Sequence, residues 1–514
     1  MLFKFAVPLI VGAVVVSIAP AVARGPQPME SVPRWGLFEI SVSNPRDYAN
    51  PFAGVNLEAT FISPSGKKVK ASGFYDGEKT WRLRFMPDEI GAWRYETKFS
   101  DGLPGKADSL MCVNGNLRGP LRVNPTNRLW FQHADGTPVY ILAFHLWSLD
   151  AMDEVVLGRT LDILATRGFN AIVGPHLTPR NGRLPWDKGA DGKPDFSRFN
   201  LAEWRRLDNV ARIVGQRKMV LIPFSIFGGT NGMPKIPTGE QEDLFLRYWT
   251  ARWGGYWNIT YQPTSEWEEA FAEADAMRIG AKIRELDGGR HLVSIHPLKA
   301  GTDKVQQANW YDYHTVQDKL TKWDPEKFSW LVGLYQRVPK PILAHENLWE
   351  GNLYHKEAGL DVDNMRKGSW VIALSGGQIN YADEVLPGRK YQTRGSGDDY
   401  YSEKGAAMQP GGELYGALTI LGKFMRSLPF ERMTVAPELS GTGICLTQPG
   451  REYVTYAQNG GKITLDLNKA KGPFTGRWFN PRDGKFGKRF EVKGGKLVEF
   501  APPDGKDWVL RLKK

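Results

Sequence analysis

The sequence has few cysteines, no long apolar run beyond its N-terminal segment and no phosphate-binding loop. Two cysteines in 514 residues, Cys112 and Cys445, exclude a disulfide-rich scaffold and a multi-cysteine zinc or iron–sulfur site. The absence of a later run of about 18 apolar residues excludes a multi-span membrane protein. No GxxxxGK[ST] motif occurs, so a nucleotide site is not expected.

The remaining composition is that of a globular protein rich in aromatic residues. Apolar residues make up 41% and charged residues 24%, while 18 tryptophans contribute to an aromatic content of 12%. The length predicts two to four domains, or one large barrel with attachments. A net charge of +11, from 67 basic and 56 acidic residues, favours an anionic partner without identifying one.

The first 23 residues have the pattern of a secretory signal peptide. Lys4 precedes an apolar stretch from Phe5 to Ala19, and Ala21–Ala23 provides the small-x-small pattern before a cleavage point at Arg24. We therefore expect export to the periplasm or the extracellular space, with an uncleaved N-terminal anchor as the alternative. Whether the two cysteines pair in such an oxidising compartment stays open.

Two regions have the short alternating runs of β domains. Residues 31–125 contain runs such as Trp81–Phe85 between turn signals, which predicts an immunoglobulin-like β-sandwich. Residues 430–514 contain similar runs, such as Ile463–Leu467, and predict a second, small β-sandwich.

Between them, residues 126–428 alternate apolar runs with amphipathic segments, which is typical of a (β/α)8 TIM barrel. An open doubly wound sheet is the alternative. The predicted strands are Val139–Phe144, Ala171–Gly174, Met219–Phe224, Tyr256–Thr260, Leu292–Ile295, Ala308–Tyr311, Ile342–Ala344 and Gln378–Tyr381. The predicted helices include Val155–Arg167, Leu201–Gln216, Glu240–Trp253, Trp267–Leu286 and Pro325–Gln336.

In such a barrel the functional residues follow the carboxyl ends of the strands. These positions hold carboxylates, aromatic residues and histidines, a set that suits sugars better than a zinc ion bound by scattered histidines. The candidate substrate contacts are His145, Trp147, His176, Tyr261, His296, Trp310, Asp312, Gln317, Trp349 and Tyr381. A carboxylate after the fourth strand, Glu266, could face one after the seventh, Glu346 or Glu350, across the barrel, and a retaining glycosidase needs two such carboxyl groups roughly 5 Å apart.

Several runs resemble the bacterial apiosidase-like glycoside hydrolases that carry an N-terminal DUF5060 domain. The first region contains Gly73–Gly77, Trp81–Phe85 and Gly91–Trp93, which are similar to the Ig-like module of that family. The barrel contains Arg247–Arg252, Tyr256–Ile259 (with Asn258), Trp310–Tyr313 with Gln317, and Lys340–Leu343 leading to Glu346. The tail, including Trp478–Arg482, resembles the β domain described as collagen-binding that often closes these chains.

The resemblance implies a retaining glycosidase with Glu266 as acid/base, Glu346 as nucleophile, Asn258 near the substrate, and no metal or other cofactor. Ser265 precedes Glu266 where many members of the clan have Asn, so Glu268 and Glu269 remain alternatives, as does Glu350 for Glu346. The expected partner is a poly- or oligosaccharide, with the positive charge hinting at an acidic one, and no nucleic acid is expected. A non-catalytic carbohydrate- or matrix-binding protein on a barrel scaffold is the alternative function.

Overall fold

The computed structural model describes residues 29–146, 149, 152–175, 177, 184–230, 233–298, 302–317, 330–350, 362–383 and 414–514. The predicted signal peptide, residues 1–23, lies outside this part of the chain. Within the described residues, no helix has the length and apolarity needed to cross a bilayer.

The chain is built from β-rich ends around a central segment of parallel strands and helices. The strands are β1 Glu30–Pro33, β2 Phe38–Ser43, β3 Leu57–Ile62, β4 Lys68–Tyr75, β5 Thr80–Phe85, β6 Gly91–Phe99, β7 Pro104–Val113, β8 Leu121–Val123, β9 Phe131–His133, β10 Pro138–Val139, β11 Leu142–His145, β12 Ala171–Val173, β13 Trp186–Lys188, β14 Pro194–Phe199, β15 Val220–Ile222, β16 His314–Gln317, β17 Ile342–Glu350, β18 Gly377–Asp383, β19 Thr434–Val435, β20 Cys445–Gln448, β21 Glu452–Ala457, β22 Ile463–Asp466, β23 Pro473–Asn480, β24 Lys485–Phe486, β25 Phe490–Lys493, β26 Leu497–Phe500 and β27 Trp508–Lys513. The α-helices are α1 Glu154–Thr166, α2 Leu201–Gln216, α3 Glu240–Trp253, α4 Glu273–Asp287, α5 Asp303–Gln307, α6 Trp330–Arg337, α7 Val362–Leu374 and α8 Leu414–Arg426.

The first region forms a sheet path in the order β1-β7-β6-β3-β4-β5-β2. The path turns at β4, whose first half pairs with β3 and whose last residues, Gly73 to Tyr75, pair with β5. Alternation decides which face is buried: on β6, Trp93 and Tyr95 point into the core while Arg94 and Glu96 face solvent. Leu57, Phe61 and Trp93 are among the residues of this core.

The central segment contains a parallel sheet in the order β15-β12-β11-β18-β17-β16. Parallel bridges extend it from Leu221 to Ile259 and from Tyr261 to Val293. The predicted strands Tyr256–Thr260 and Leu292–Ile295 contribute only these single bridges, and residues 308–311 are not a strand, since the ladder is formed by β16, which begins at His314. The reason is that Trp310 packs against Gly280 of α4 instead of joining the sheet.

The helices cover one face of the central sheet. The predicted helices Leu201–Gln216 and Glu240–Trp253 have these bounds in the structure. The predicted helix Trp267–Leu286 is divided into a 3-10 turn, Trp267–Glu269, and α4. The break follows from the burial of Phe271 between them, and α4 then begins where the Ala272 N–H donates to Asp275 Oδ2 at 3.1 Å.

The C-terminal region contains a seven-stranded sheet and a two-stranded sheet, β22-β26. Leu465, Phe474 and Leu510 belong to its core. Cys445 lies in this core and Cys112 lies in that of the first region, and both are free thiols.

Candidate active site

The carboxyl ends of the parallel strands bring several predicted site residues together. His145 and Gln317 are the last residues of β11 and β16, and His296 follows the segment bridged at Val293. His145 and His296 are buried, and both rings pack on Phe224, with centroids 4.7 and 5.2 Å away. Neighbouring parallel strands end at the same edge, so residues far apart in sequence meet here.

Alternation along the strands selects which side chains reach this cluster. On β17, Leu343 packs with the strand residues of the inner face, whereas Ile342 and Ala344 pack outward with the helices. His345 therefore points inward, and its ring lies 4.6 Å from that of His296 and 5.1 Å from that of Phe224. Neither ring nitrogen of His345 has a hydrogen-bond partner in the described structure.

Glu346 would point outward in a regular strand, but the register changes at this point. Val316 pairs with Ala344, whereas the next residue, Gln317, pairs with Glu346, so β17 carries one extra residue. Such a β-bulge turns a side chain away from its regular direction. The Glu346 side chain is 9% exposed, and its Oε2 lies 3.6 Å from His296 Nε2.

Glu266 occupies a left-handed backbone conformation, with φ 45° and ψ 50°, directly before the 3-10 turn. A non-glycine residue in this region costs about 1 kcal/mol or more and is held by its surroundings. The Glu266 N–H donates to His296 Nδ1 at 3.3 Å, and its Oε1 accepts from Gln317 Nε2 at 2.9 Å. Glu266 is 6% exposed, so its carboxylate lies in a largely water-excluded position.

His296 thus contacts both candidate glutamates, Glu266 through its backbone N–H and Glu346 through its carboxylate. Its Nδ1 accepts the Glu266 N–H, which places the proton of the neutral ring on Nε2, the atom that faces Glu346. Burial holds the pKa of His345 well below its ordinary value, and protonation of the neighbouring His296 ring would lower it further. His345 is therefore neutral at neutral pH.

Several buried amide atoms near these strand ends have no protein partner among the described residues. Both amide atoms of Gln262 are without a hydrogen bond, as are Gln317 Oε1 and Asn380 Oδ1. Gln262 follows Tyr261, and Asn380 precedes Tyr381; both tyrosines face outward. Because neighbouring residues of a strand point to opposite faces, both amides turn to the inner face. Buried polar atoms are almost always satisfied, and amides and imidazoles are suited to water or sugar hydroxyls.

Other predicted substrate contacts have partners elsewhere. The Tyr261 ring packs against Trp249 of α3, and Asn258 Nδ2 donates to the Ala211 carbonyl of α2 at 3.0 Å. Both residues therefore connect the sheet to the surrounding helices, and the structure does not bring them to Glu266.

Trp310, Asp312 and Tyr381 are also away from the cluster. Trp310 packs over Gly280, and Asp312 accepts hydrogen bonds from Arg284 and from the Val293 N–H. Tyr381 packs outward, with its hydroxyl donating to Glu350 Oε2 at 2.6 Å. Trp147 and His176 lie outside the described residues, as does the side chain of Trp349.

The alternative carboxylates differ from the candidate pair in their surroundings. Glu350 Oε2 accepts from the Tyr381 hydroxyl and from the Leu414 N–H at 3.0 Å, which joins β17, β18 and α8. Glu268 and Glu269 are exposed on the 3-10 turn, and Glu268 Oε2 accepts from the Leu298 N–H at 2.6 Å. Within the described chain, no group of three or more His, Cys, Asp or Glu is arranged to hold a metal ion.

Sequence reasoning did not select Gln262, His345 or Asn380 as site residues. The alternation of side chains along a strand could have indicated them. Tyr261 and Tyr381 are bulky residues that face outward, so the polar residue next to each of them, Gln262 and Asn380, faces inward. Aromatic residue type favours tyrosine as a sugar contact, but the pleat of the strand decides whether the tyrosine or the neighbouring amide faces the site.

Comparison with known proteins places this geometry in a family. The model of the apiosidase-like catalytic domain matches residues 125–381. The DUF5060 model matches residues 31–100, and the model of a proposed collagen-binding domain of a collagenase matches residues 440–513. A comparison with curated proteins finds no match.

Solved structures share the fold. A proposed glycoside hydrolase from Bacteroides vulgatus ATCC 8482 has a TM-score of 0.76 at 21% identity, covering 94% of this chain and 100% of that one. A second protein, named as a glycoside hydrolase, has a TM-score of 0.61 at 16% identity, covering 78% of this chain and 99% of its own. A glycoside hydrolase family 5 protein from Bacteroides vulgatus ATCC 8482 has a TM-score of 0.60 at 16% identity, covering 77% and 94%.

The three family models follow one another in the order that the sequence motifs indicated, and the central one spans half of the 514 residues. The chain belongs to the apiosidase-like catalytic domain family.

Proposed function

We propose that the chain is a secreted, retaining glycoside hydrolase in which Glu266 is the acid/base and Glu346 the nucleophile. The observation that carries the proposal is the contact of both glutamates with His296, through the Glu266 N–H at 3.3 Å and Glu346 Oε2 at 3.6 Å. The Glu266 carboxylate itself accepts from Gln317, which pairs with Glu346 on the neighbouring strand, and this supports a position of both carboxylates at the same end of the central sheet. The proposal includes export after removal of residues 1–23.

The proposed scaffold is a closed (β/α)8 barrel over residues 126–428, between β-sandwiches over 31–125 and 430–514. Six strands and two bridged segments account for eight parallel positions. Two hydrogen bonds link the fifth and sixth positions: Ser294 Oγ donates to the Tyr313 carbonyl at 2.8 Å, and Thr315 Oγ1 donates to the Ile295 carbonyl at 3.1 Å. These bonds support closure of the sheet.

In the proposed reaction Glu346 attacks the anomeric carbon while Glu266 donates its proton to the departing glycosidic oxygen. A covalent glycosyl-enzyme and the free leaving group result. Ionised Glu266 then removes a proton from water, the water oxygen attacks the anomeric carbon, and Glu346 is released. Gln317 Nε2 donates to Glu266 Oε1 at 2.9 Å, which orients the carboxyl group that transfers the proton in this scheme.

The inner-face amides and imidazoles favour recognition of a sugar residue through its hydroxyl groups. Gln262 and Asn380 offer uncharged donors and acceptors, and neutral His345 offers one of each. These groups match the hydroxyls of the glycosyl unit that is cleaved.

The test is a panel of aryl glycosides and plant and bacterial glycans incubated with the chain and with three variants. We expect Glu346→Gln to abolish turnover and Glu266→Gln to slow it about 10²–10⁴-fold, least for substrates with an acidic phenol as the leaving group. Glu350→Gln is the matched control, since it removes a buried glutamate of β17 that bonds to Tyr381 and should lower stability more than the chemical rate.

The stereochemistry separates the mechanisms. We expect the first-formed sugar to keep the anomeric configuration of the substrate, as seen by proton NMR, and azide to restore turnover to Glu346→Ala as a glycosyl azide of inverted configuration. Inversion by the unchanged chain would contradict the assigned nucleophile. Binding of a glycan without hydrolysis by any form would instead establish the carbohydrate-binding alternative.

A further inference from the structure

A second concave surface lies at the opposite end of the central sheet. A cavity of about 590 Å³ is lined by residues that precede strands, including Tyr140 before β11, Asn170 before β12 and Lys218 before β15. The candidate active site follows the carboxyl ends of the same sheet, so the two sites are separated by the length of the strands. The cavity has a volume in the range of about 300–1,000 Å³ that holds small ligands.

The lining of this cavity combines an aromatic ring with positive charge. Trp257 forms part of the wall, and Arg118, Lys218 and Arg426 supply three cationic side chains around it. Lys218 occupies a left-handed conformation, with φ 58°, just after α2, where glycine is the usual residue. The chain therefore places an ammonium group at a position that backbone preference alone would give to glycine.

A second cavity continues this surface towards the C-terminal region. It has a volume of about 610 Å³ and is lined by Arg432, Arg451, Lys513 and Lys514 among others. The 3-10 turn Phe430–Arg432 separates the two cavities, because Phe430 lines the first and Arg432 the second. The two cavities therefore adjoin, and we call their combined lining the basic surface.

The positive charge of the basic surface is not neutralised by its own neighbours. Arg118, Lys218, Arg451 and Lys513 have no side-chain hydrogen bond or ion pair to other residues in the described parts of the chain. The two carboxylates that line the cavities are already paired, Glu431 with Arg432 at 3.2 Å and Glu452 with Arg511 at 2.6 Å. Arg432 is offset by Glu431, so six of the seven lining cations have no carboxylate partner among the lining residues.

We propose that the basic surface binds an anionic polysaccharide bearing carboxylate groups, separately from the candidate active site. Guanidinium and ammonium groups pair with the carboxylates, and the small exposed part of Trp257, which otherwise packs with Trp35 and Met86, borders the bound chain of sugars. The two adjoining cavities allow one chain of sugars to contact the central and the C-terminal regions together. Such binding would hold the enzyme on a polymer while its other end acts on glycosidic bonds.

The test measures binding of polygalacturonate, and of its fully methyl-esterified form, to the full chain. The protein used for both measurements carries Glu266→Gln and Glu346→Gln, so that it does not cleave the polysaccharide during the assay. We expect polygalacturonate to bind at about 50 mM salt and to be released as salt rises, because the attraction is screened. We expect the uncharged ester to bind at least tenfold more weakly.

Two quadruple variants with equal charge change locate the site. The first combines Arg118→Gln, Lys218→Asn, Arg451→Gln and Lys513→Gln, with Asn chosen because it tolerates the left-handed conformation. We expect its affinity for polygalacturonate to fall at least tenfold. The control replaces exposed lysines of the first region with Gln at positions 68, 70, 98 and 106, and its affinity should change less than twofold.

The outcomes separate this proposal from the proposed catalytic function. Equal losses in the two quadruple variants, or equal affinity for double-stranded DNA, would overturn a carboxylate-polysaccharide site. If the first variant loses binding while it still hydrolyses a small aryl glycoside at the unchanged rate, both proposals stand. If no form hydrolyses any glycoside but the binding difference persists, the basic surface stands and the catalytic assignment fails.

Discussion

A buried ion-pair network between the first region and the central helices provides a quantitative test of the fold. Asp208 of α2 accepts hydrogen bonds through Oδ2 from Arg84 Nη2 at 3.0 Å and from Arg252 Nη2 at 2.7 Å. Arg84 belongs to β5 and Arg252 to α3, so the carboxylate joins three elements of the chain. The side chains of Asp208 and Arg252 are 8% and 1% exposed.

We expect Asp208→Asn to lower the free energy of unfolding by about 3 kcal/mol, because Arg84 and Arg252 lose the buried carboxylate that they share and keep only Glu39 and Asp76, respectively. The matched control is Asp162→Asn. Asp162 also receives two bonds from one guanidinium, that of Arg217, at 2.8 and 3.1 Å, but its side chain is 63% exposed. Water screens this pair, so its loss should cost at most about 1 kcal/mol.

The assay is urea unfolding followed by tryptophan fluorescence, because guanidinium chloride would itself screen the charges. Limited proteolysis in parallel should show earlier cleavage between the first region and the centre in Asp208→Asn only. Equal losses of stability in the two variants would refute the reasoning, since Asp208 is buried between two guanidinium groups and Asp162 is exposed beside one.

Three further predictions concern stability and reactivity. Burial lowers the pKa of His314 in the folded chain to about 4. As pH falls below 6.5 the unfolded chain takes up a proton at this residue and the folded chain does not, so the free energy of unfolding decreases. His314→Gln should reduce this decrease between pH 6.5 and 4 by about 3 kcal/mol, as measured by urea unfolding at a series of pH values. Gly280→Ala should lower the free energy of unfolding by about 1–3 kcal/mol, because an added Cβ would lie 2.4 Å from the Trp310 indole ring. Gly416→Ala lies in an open helix position and should leave the free energy of unfolding unchanged or raise it by up to about 1 kcal/mol. The same change in both variants would contradict the packing of Trp310 on Gly280. Burial raises the pKa of Cys112 to about 11 and that of Cys445 to about 12, so neither thiol should react with a disulfide reagent at pH 8 until urea unfolds the chain, and prompt reaction of the folded protein would argue against these positions.

The strand and helix pattern of the centre was largely predictable because it depends on periodicity. Leu201–Gln216 and Glu240–Trp253 repeat apolar residues at helical spacing, and their bounds agree with the structure. Residues 308–311 were mispredicted as a strand because an apolar run alone does not show whether it pairs in a ladder or packs on a helix. The contact of Trp310 with Gly280 decided this, and it joins segments about 30 positions apart in the sequence.

The candidate site was predictable at its centre and not at its edges. His145, Glu266, His296, Gln317 and Glu346 were predicted after strands, and the structure brings them to one end of the sheet, with His145 and Gln317 as last strand residues and Glu346 within β17. Their roles in catalysis remain the proposal made above, and the order of the family models confirms the resemblance on which the roles were based.

The sequence by itself determined the order of the regions, the family and the strand ends at which polar residues gather, because these depend on local pattern and on motifs. Only the tertiary structure decided which side chains face one another. The extra residue in β17 turns Glu346 towards His296, the left-handed backbone of Glu266 turns its N–H to the same ring, and the pleat turns Tyr261 and Tyr381 away. Each of these directions depends on the register between strands, which is set by packing across the whole sheet and not by the residues of any one segment.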